Sequence, residues 1–299
     1  MSLSSLLLWW NDYCNVLSIN SGLDRYMDNI KEKLLDGSLV PFLGMGVFKD
    51  TKSTNGEQLP FDSDSMVLAL NNGRAMSDRL MYEYSRAAMS LEQRKGRDFI
   101  INMTNHIYTS KEYELPFVYK YFKEIQPKYF IDTNLDDSGC KIYEDVAHFM
   151  ITGVSRVMGG YDRFIVYLYD LETKTYNKIE KEKLNDSLPI LFKPMGSTIP
   201  DKDFIVSDAD FVDWLTEAMG GYAIPPFLKE YKQNKSYLFL GLDFNRDTYR
   251  MVANEITLGL DTGIVVNKKD TFTKKENKFL KIHNLELVEQ EIEEFLKSL

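Results

Sequence analysis

Thr133, Asn134, Asp136 and Asp137 crowd together directly after the apolar run Tyr129-Phe130-Ile131. Ligands of open α/β sheets bind at the carboxyl ends of the strands, so a hydroxyl, an amide and carboxylates there can hydrogen-bond the hydroxyls of a ribose or a nicotinamide. The same residues also fit a helix start, with Asn134 or Asp136 capping the turn that follows. A second group is Gly44-Met45-Gly46, at the end of the apolar run Leu39 to Leu43. Glycines lack a Cβ and let a diphosphate approach backbone amides. Lys49 stands where a full dinucleotide fingerprint carries its third glycine, and a purely structural turn accounts for these glycines equally well. A third group is Gly241 and Asp243, which end the apolar run Tyr237 to Leu240.

These groups need strands to carry them. Leu39–Leu43, the centre Tyr129–Ile131 of the run from Lys128 to Asp132, and Tyr237–Leu240 after Ser236 are apolar throughout, as strands covered on both faces are. A helical stretch from about Leu23 to Asp36 precedes the first, and a helix carrying Tyr249, Val252, Ala253 and Ile256 follows the third. Residues 64–124 read as mostly helical, with one stripe through Met76, Leu80, Tyr84 and Ala88 and another through Phe99, Met103 and Ile107. A mixed insert spans about 138–188, and within it Arg163–Asp170 and Lys174–Ile179 read as a β-hairpin, serving as an edge ribbon, a lid or a partner contact. Glu286–Leu296 reads as an acidic amphipathic helix docking Leu287, Ile292, Phe295 and Leu296. The mixed charge runs 178–183 and 268–276 read as solvated.

The order of these pieces resembles the sirtuin-like domain family, in its bacterial branch without a zinc ribbon, often found in antiphage defence. Gly44-Met45-Gly46-Val47-Phe48 is similar to the family's Gly-Ala-Gly-Val-Ser, and Gly56 to Pro60 to the Gly-x-x-x-Pro that follows. Thr133-Asn134-Leu135-Asp136-Asp137 resembles Thr-Asn-Tyr-Asp-Asp, and Lys193-Pro194-Met195-Gly196-Ser197 resembles Lys-x-His-Gly-Ser. Ile205 to Phe211 resembles the family's Thr-Glu-Glu-Asp-Tyr helix start, and Gly241 to Asp247 its Gly-Tyr-Ser-Leu-x-x-Asp. The resemblance implies an α/β, Rossmann-like three-layer domain with a mainly parallel sheet over residues 23–299; residues 1–22 before it read as a docking segment from their own apolar residues. The resemblance also implies NAD or a related ADP-ribose nucleotide as ligand, with Gly44, Met45, Gly46, Thr133, Asn134, Gly241 and Asp243 binding it and Asn134 and Asp136 as the catalytic candidates.

The departures fall on the same motifs: Met45, Phe48, Asp132, Leu135, Met195 and Asp243 replace Ala, Ser, Thr, Tyr, His and Ser of the family patterns. All six are expected at the ligand pocket. Phe48 would then replace a hydroxyl facing phosphate or ribose, and Asp243 would repel a pyrophosphate unless a cation intervenes. Met195 removes a proton carrier, because a thioether cannot accept a proton near neutral pH. Loss of a general base costs about a hundredfold to ten-thousandfold in rate. The expectation is a nucleotide-binding sensor or scaffold of a bacterial defence or phage-associated system, degenerate for NAD cleavage. An active NAD glycohydrolase is the alternative.

None of the three histidines reads as a substitute base: His106 belongs to a helix, His148 to a surface helix pair with Glu144, and His283 to the last strand. Two cysteines, Cys14 and Cys140, are too few for a four-thiolate zinc site, so no metal and no zinc-dependent protein deacylation is expected. A net charge of -9 argues against nucleic acid as a partner, since phosphate-backbone binding needs a basic surface. The apolar Leu6-Leu7-Leu8-Trp9-Trp10 is too short to span a membrane and suits docking on this domain, a second copy or another protein. A cytoplasmic setting fits the sparse cysteines.

Overall fold

The continuous apolar runs become the inner strands of one sheet, because a strand covered by helices on both faces has no polar side to present. The computed structural model describes residues 29–157, 161–269 and 271–299; Cys14 and the 1–22 segment lie outside them. In chain order the elements begin with α1 (Ile30–Asp36), β1 (Leu39–Leu43), a 3-10 turn (Met45–Phe48), α2 (Ser63–Leu70), α3 (Asp78–Met81), α4 (Tyr84–Lys95) and α5 (Arg97–Thr109). Next come α6 (Phe117–Ile125), β2 (Tyr129–Asp132), α7 (Ser138–Lys141), β3 (Phe149–Gly153), β4 (Phe164–Asp170), β5 (Thr175–Ile179) and β6 (Ile190–Lys193). The chain continues through β7 (Gly196–Ser197), β8 (Asp203–Phe204), α8 (Asp208–Gly220), α9 (Pro226–Tyr231), β9 (Ser236–Leu240) and α10 (Asp247–Ile256). It closes with β10 (Gly263–Val266), α11 (Lys274–Ile282), β11 (Leu285–Val288) and α12 (Ile292–Lys297).

The main sheet has 9 strands in the order β11-β10-β9-β1-β2-β6-β3-β4-β5. Every neighbouring pair from β11 to β3 is parallel, and β4 and β5 add an antiparallel ribbon at one edge. Helices flank the sheet, giving a Rossmann-like three-layer α/β fold, and β7 and β8 form a separate small hairpin. Successive strands after β1 are laid down on its β2 side, whereas β9, β10 and β11 follow on the other. The strand order therefore reverses between β1 and β9, where ligands of such sheets bind.

Within the 138–188 stretch, β3 pairs with β6 and the predicted hairpin forms the edge ribbon of the sheet, one of the roles expected for it. Several sequence expectations change. Met76 to Ala88 does not form one helix: α3 ends at Met81, and Glu83 is extended. The buried face of α5 is Ile100, Thr104 and Tyr108, one position on from the predicted stripe, which is only partly buried. The acidic C-terminal run divides into the edge strand β11 and the helix α12, although Phe295 and Leu296 are buried as expected. His148 lies in no helix; it is fully buried before β3. His283 caps the carboxyl end of α11 rather than joining a strand.

A buried charge cluster fixes the helical insert to the sheet. Asp210, fully buried in α8, accepts from Arg97, from Ser155 and from the amides of Val206 and Ser207. The guanidinium Nε of Arg156 also reaches Asp210 at 2.8 Å, while its Nη atoms bond Glu92 of α4.

Candidate functional site

The turns after β1 and β9 interlock through their glycines. A Cβ on Gly44 would meet the Gly241 carbonyl oxygen at 2.7 Å, and one on Gly46 would meet it at 2.8 Å. Gly241, at φ +70°, would press a Cβ to 2.5 Å from the Val47 nitrogen. The Gly46 amide donates to the Gly241 carbonyl (2.9 Å), and the Gly44 and Val47 amides donate to Leu240 and Gly44 carbonyls. The missing Cβ atoms thus serve the approach of one turn to another, and these three amides already have partners. The structural reading of the Gly-x-Gly turn, rather than a phosphate cradle, fits this geometry.

Beneath the turns lies a polar centre that the sequence motifs only half reveal. Lys193, at the end of β6, and Asp132, at the end of β2, are both fully buried, with Lys193 Nζ 2.9 Å from Asp132 Oδ2. Lys193 also donates to the Asn134 carbonyl at 2.6 Å. Burial works against the ammonium, but Asp132 and Asp136 outweigh it and hold the Lys193 pKa above its ordinary value. Asp132 Oδ1 accepts from the Tyr119 hydroxyl (3.0 Å) and the Asn134 amide (3.1 Å). The Asn134 side-chain amide donates to Tyr119 Oη (2.8 Å) and to the Gly44 carbonyl (3.3 Å). Thr133 spends its hydroxyl on the Leu43 carbonyl at 2.7 Å. Neither Asn134 nor Asp136 caps a helix; α7 starts after Asp137, and Asp136 instead bonds the Ser138 amide and hydroxyl. Tyr119 and the role of Lys193 were missed, although a lone acid and a lone base ending two apolar strands were a readable signal.

Two cavities adjoin this centre. The inner one is lined by Met45, Tyr84, Tyr108, Thr133, Asn134, Leu135, Met195, Phe211, Leu242, Tyr249 and Val252, and its volume is ≈ 10 Å³. That is about the space of a single water. The outer one, ≈ 1300 Å³, is a crevice across the carboxyl ends of β1, β9, β10 and β11, with Met45, Gly46, Gly241, Asp243, Asn267 and Lys269 among its lining. Gly44 and Asp136 line neither cavity.

The six departures therefore do not share one location. Met45, Leu135 and Met195 line the inner cavity, and Asp243 lines the outer crevice. Phe48 is fully buried and stacks on Tyr119 at 6.1 Å between ring centroids, so it faces the core and no ligand. Asp132 lies beneath the site, neutralised by Lys193. The repulsion anticipated at Asp243 meets a cation: Lys269 Nζ lies 3.1 Å from its carboxylate. Lys269 also pairs with Glu276, which is almost fully buried, so the 268–276 run is not simply a solvated face.

Titration of two buried groups gives a direct check on the centre. Burial pushes the Asp136 pKa up to about 6, with Lys193 opposing and Asp132 reinforcing. His148 bonds the Val146 carbonyl and the Tyr176 hydroxyl inside a ring of Tyr143, Tyr169 and Tyr176, and burial lowers its pKa to about 4. A carboxyl raised above its unfolded value opposes folding when ionised, so its penalty fades as pH falls below about 6 and is gone near its ordinary value of 3.8. A histidine lowered below its unfolded value acts oppositely, losing stability as pH falls from 6.5 toward 4. Each effect reaches about 3 kcal/mol. Relative to the unaltered protein, Asp136→Asn should be stabilised at pH 7.5 and lose that advantage by about pH 4. His148→Phe should gain relative stability over the same descent. Urea midpoints across this range provide the check, and pH-independent differences would refute the assignment.

Cys140 is buried beside Met150, and burial pushes its thiol up to about 12, which makes it a poor nucleophile. Among the described residues, no group of three or more His, Cys, Asp or Glu side chains is placed to hold a metal, and no helix is long and apolar enough to cross a membrane. No family model and no curated protein matches the chain.

Proposed function

We propose that this chain is a sirtuin-like nucleotide-binding protein that holds NAD or a related ADP-ribose nucleotide in the outer crevice without cleaving it. In this reading it acts as a ligand sensor or scaffold in a bacterial defence or phage-associated system, alone, as a homo-oligomer or with a protein partner. The observation that carries the loss of cleavage is the ≈ 10 Å³ cavity around Asn134 and Met195. Glycosidic cleavage needs the nicotinamide ribose beside a base, and small-molecule sites enclose hundreds of Å³ rather than one water. The thioether of Met195 takes no proton, and the side-chain amide of Asn134 is already tied to Tyr119 and Gly44. Support for binding comes from the crevice at the sheet's reversal point, large enough for a nucleotide, and from Lys269 beside Asp243.

Restoring the base tests the reading. Met195→His supplies a proton acceptor but no space, so neither it nor the unaltered protein should release nicotinamide from NAD when assayed chromatographically. Steady release by the unaltered protein, abolished by Asn134→Ala, would establish the glycohydrolase alternative instead.

A further inference from the structure

We propose that the outer edge of β5 pairs antiparallel with the same edge of a second copy of this chain, about a two-fold axis at Asn177. The inference goes beyond the nucleotide reading above and does not depend on it. β5 ends the strand order of the main sheet, and among the described residues only β4 pairs with it. The direction of its free backbone groups follows from β4. The Tyr169 amide donates to the His148 carbonyl and the Val154 amide to the Arg163 carbonyl, so the odd-numbered residues of β4 turn their polar backbone groups toward β3. In an antiparallel ladder the amide and carbonyl of one residue point the same way. Val166, Leu168 and Asp170 therefore bond Ile179, Asn177 and Thr175, whereas Tyr176 and Lys178 point their amides and carbonyls out of the sheet.

Such an edge is a template for another strand, and chains commonly blunt it with a proline, a bulge or a lysine. β5 contains no proline, and its register with β4 runs unbroken from Thr175 to Ile179. Its charges instead select one way of pairing. With the axis at Asn177, Tyr176 opposes Lys178 of the second copy on both sides of the axis, and these pairs exchange about four backbone hydrogen bonds. Lys174 then opposes Glu180 at each end, Thr175 opposes Ile179, and the two Asn177 side chains meet at the centre. Lys174, Thr175, Asn177, Lys178 and Glu180 are exposed, with Tyr176 and Ile179 half-buried beside them. Opposite charges and aromatic or β-branched pairs directly across a ladder are favourable, and like charges are unfavourable. Moving the axis to Lys178 sets that lysine against itself, and moving it to Tyr176 sets Lys174 against Lys178. The lysine that guards the edge against neighbouring registers thus leaves the one centred on Asn177 open.

Sedimentation equilibrium of the full chain over a rising concentration series tests this, with a reversible monomer–dimer equilibrium expected from so small an interface. Lys174→Glu makes both end pairs repulsive and should weaken the dimer at least about tenfold, and adding Glu180→Lys should return it to within about threefold of the unaltered protein. A cross-link reads the register separately. In a Cys14→Ser background, Asn177→Cys sets two thiols directly opposite at the close, non-hydrogen-bonded spacing and should give a disulfide-linked dimer with oxidised glutathione. Thr175→Cys, which opposes Ile179, should not. A monomer at every concentration overturns the proposal. So does a dimer indifferent to Lys174→Glu, one not restored by Glu180→Lys, or equal cross-linking through the two cysteines, since another surface would then hold the copies together.

Discussion

Lys193→Met is expected to destabilise the protein by about 3–5 kcal/mol, the usual consequence of removing one partner of a buried ion pair. Among the described residues the ammonium is the only positive charge paired with Asp132, and it also satisfies the Asn134 carbonyl. Methionine preserves most of the buried volume, so the loss isolates the stranded carboxylate from a cavity effect. The double change Lys193→Met with Asp132→Asn should recover more than half of the loss, since the remaining amide still accepts from Tyr119 and the Asn134 backbone. Chemical denaturation measures both. A single variant within about 1 kcal/mol of the unaltered protein would show that the pair is not what holds the site loops to the sheet.

Gly241→Ala is the second large effect, about 2–4 kcal/mol, and it should also weaken nucleotide binding in the crevice. The added methyl would enter a left-handed backbone at φ +70° and stand 2.5 Å from the Val47 nitrogen and 2.9 Å from the Gly44 carbonyl oxygen. Both neighbours are backbone, so the turns after β1 and β9 must separate. Gly56→Ala provides the contrast: its φ is +80°, yet no atom lies within 4 Å of the added carbon. Only the conformational penalty of about 1 kcal/mol applies there, with no effect on binding. Equal losses in the two variants would mean that backbone strain, rather than the interlocking of turns, explains Gly241.

The inner sheet was legible because its strands are apolar on both faces, as Leu39–Leu43 and Tyr237–Leu240 are. Edges were less so. β11 alternates leucine and glutamate at a border of the sheet, and that short acidic pattern also suits a helix. His148 was misplaced because a four-residue spacing from Glu144 mimics a helix, whereas burial among tyrosines fixes its environment. The loops carrying Asn134, Met195 and Asp243 could be placed from sequence, but closure of the inner cavity could not. It depends on Tyr84, Tyr108, Phe211 and Tyr249, which converge from four different helices. Phe48 shows the same limit: position in a motif did not say which way the ring would turn, and the Tyr119 ring supplied its partner.

Binding and cleavage of NAD followed on one sample address the central claim most directly, with calorimetry reporting occupancy and chromatography reporting free nicotinamide. Saturable heat from NAD or ADP-ribose with no nicotinamide released is the predicted result. Sustained nicotinamide release at the rate of an enzyme would contradict it, because the ≈ 10 Å³ beside Met195 would then have to open far enough to seat a ribose and find another base.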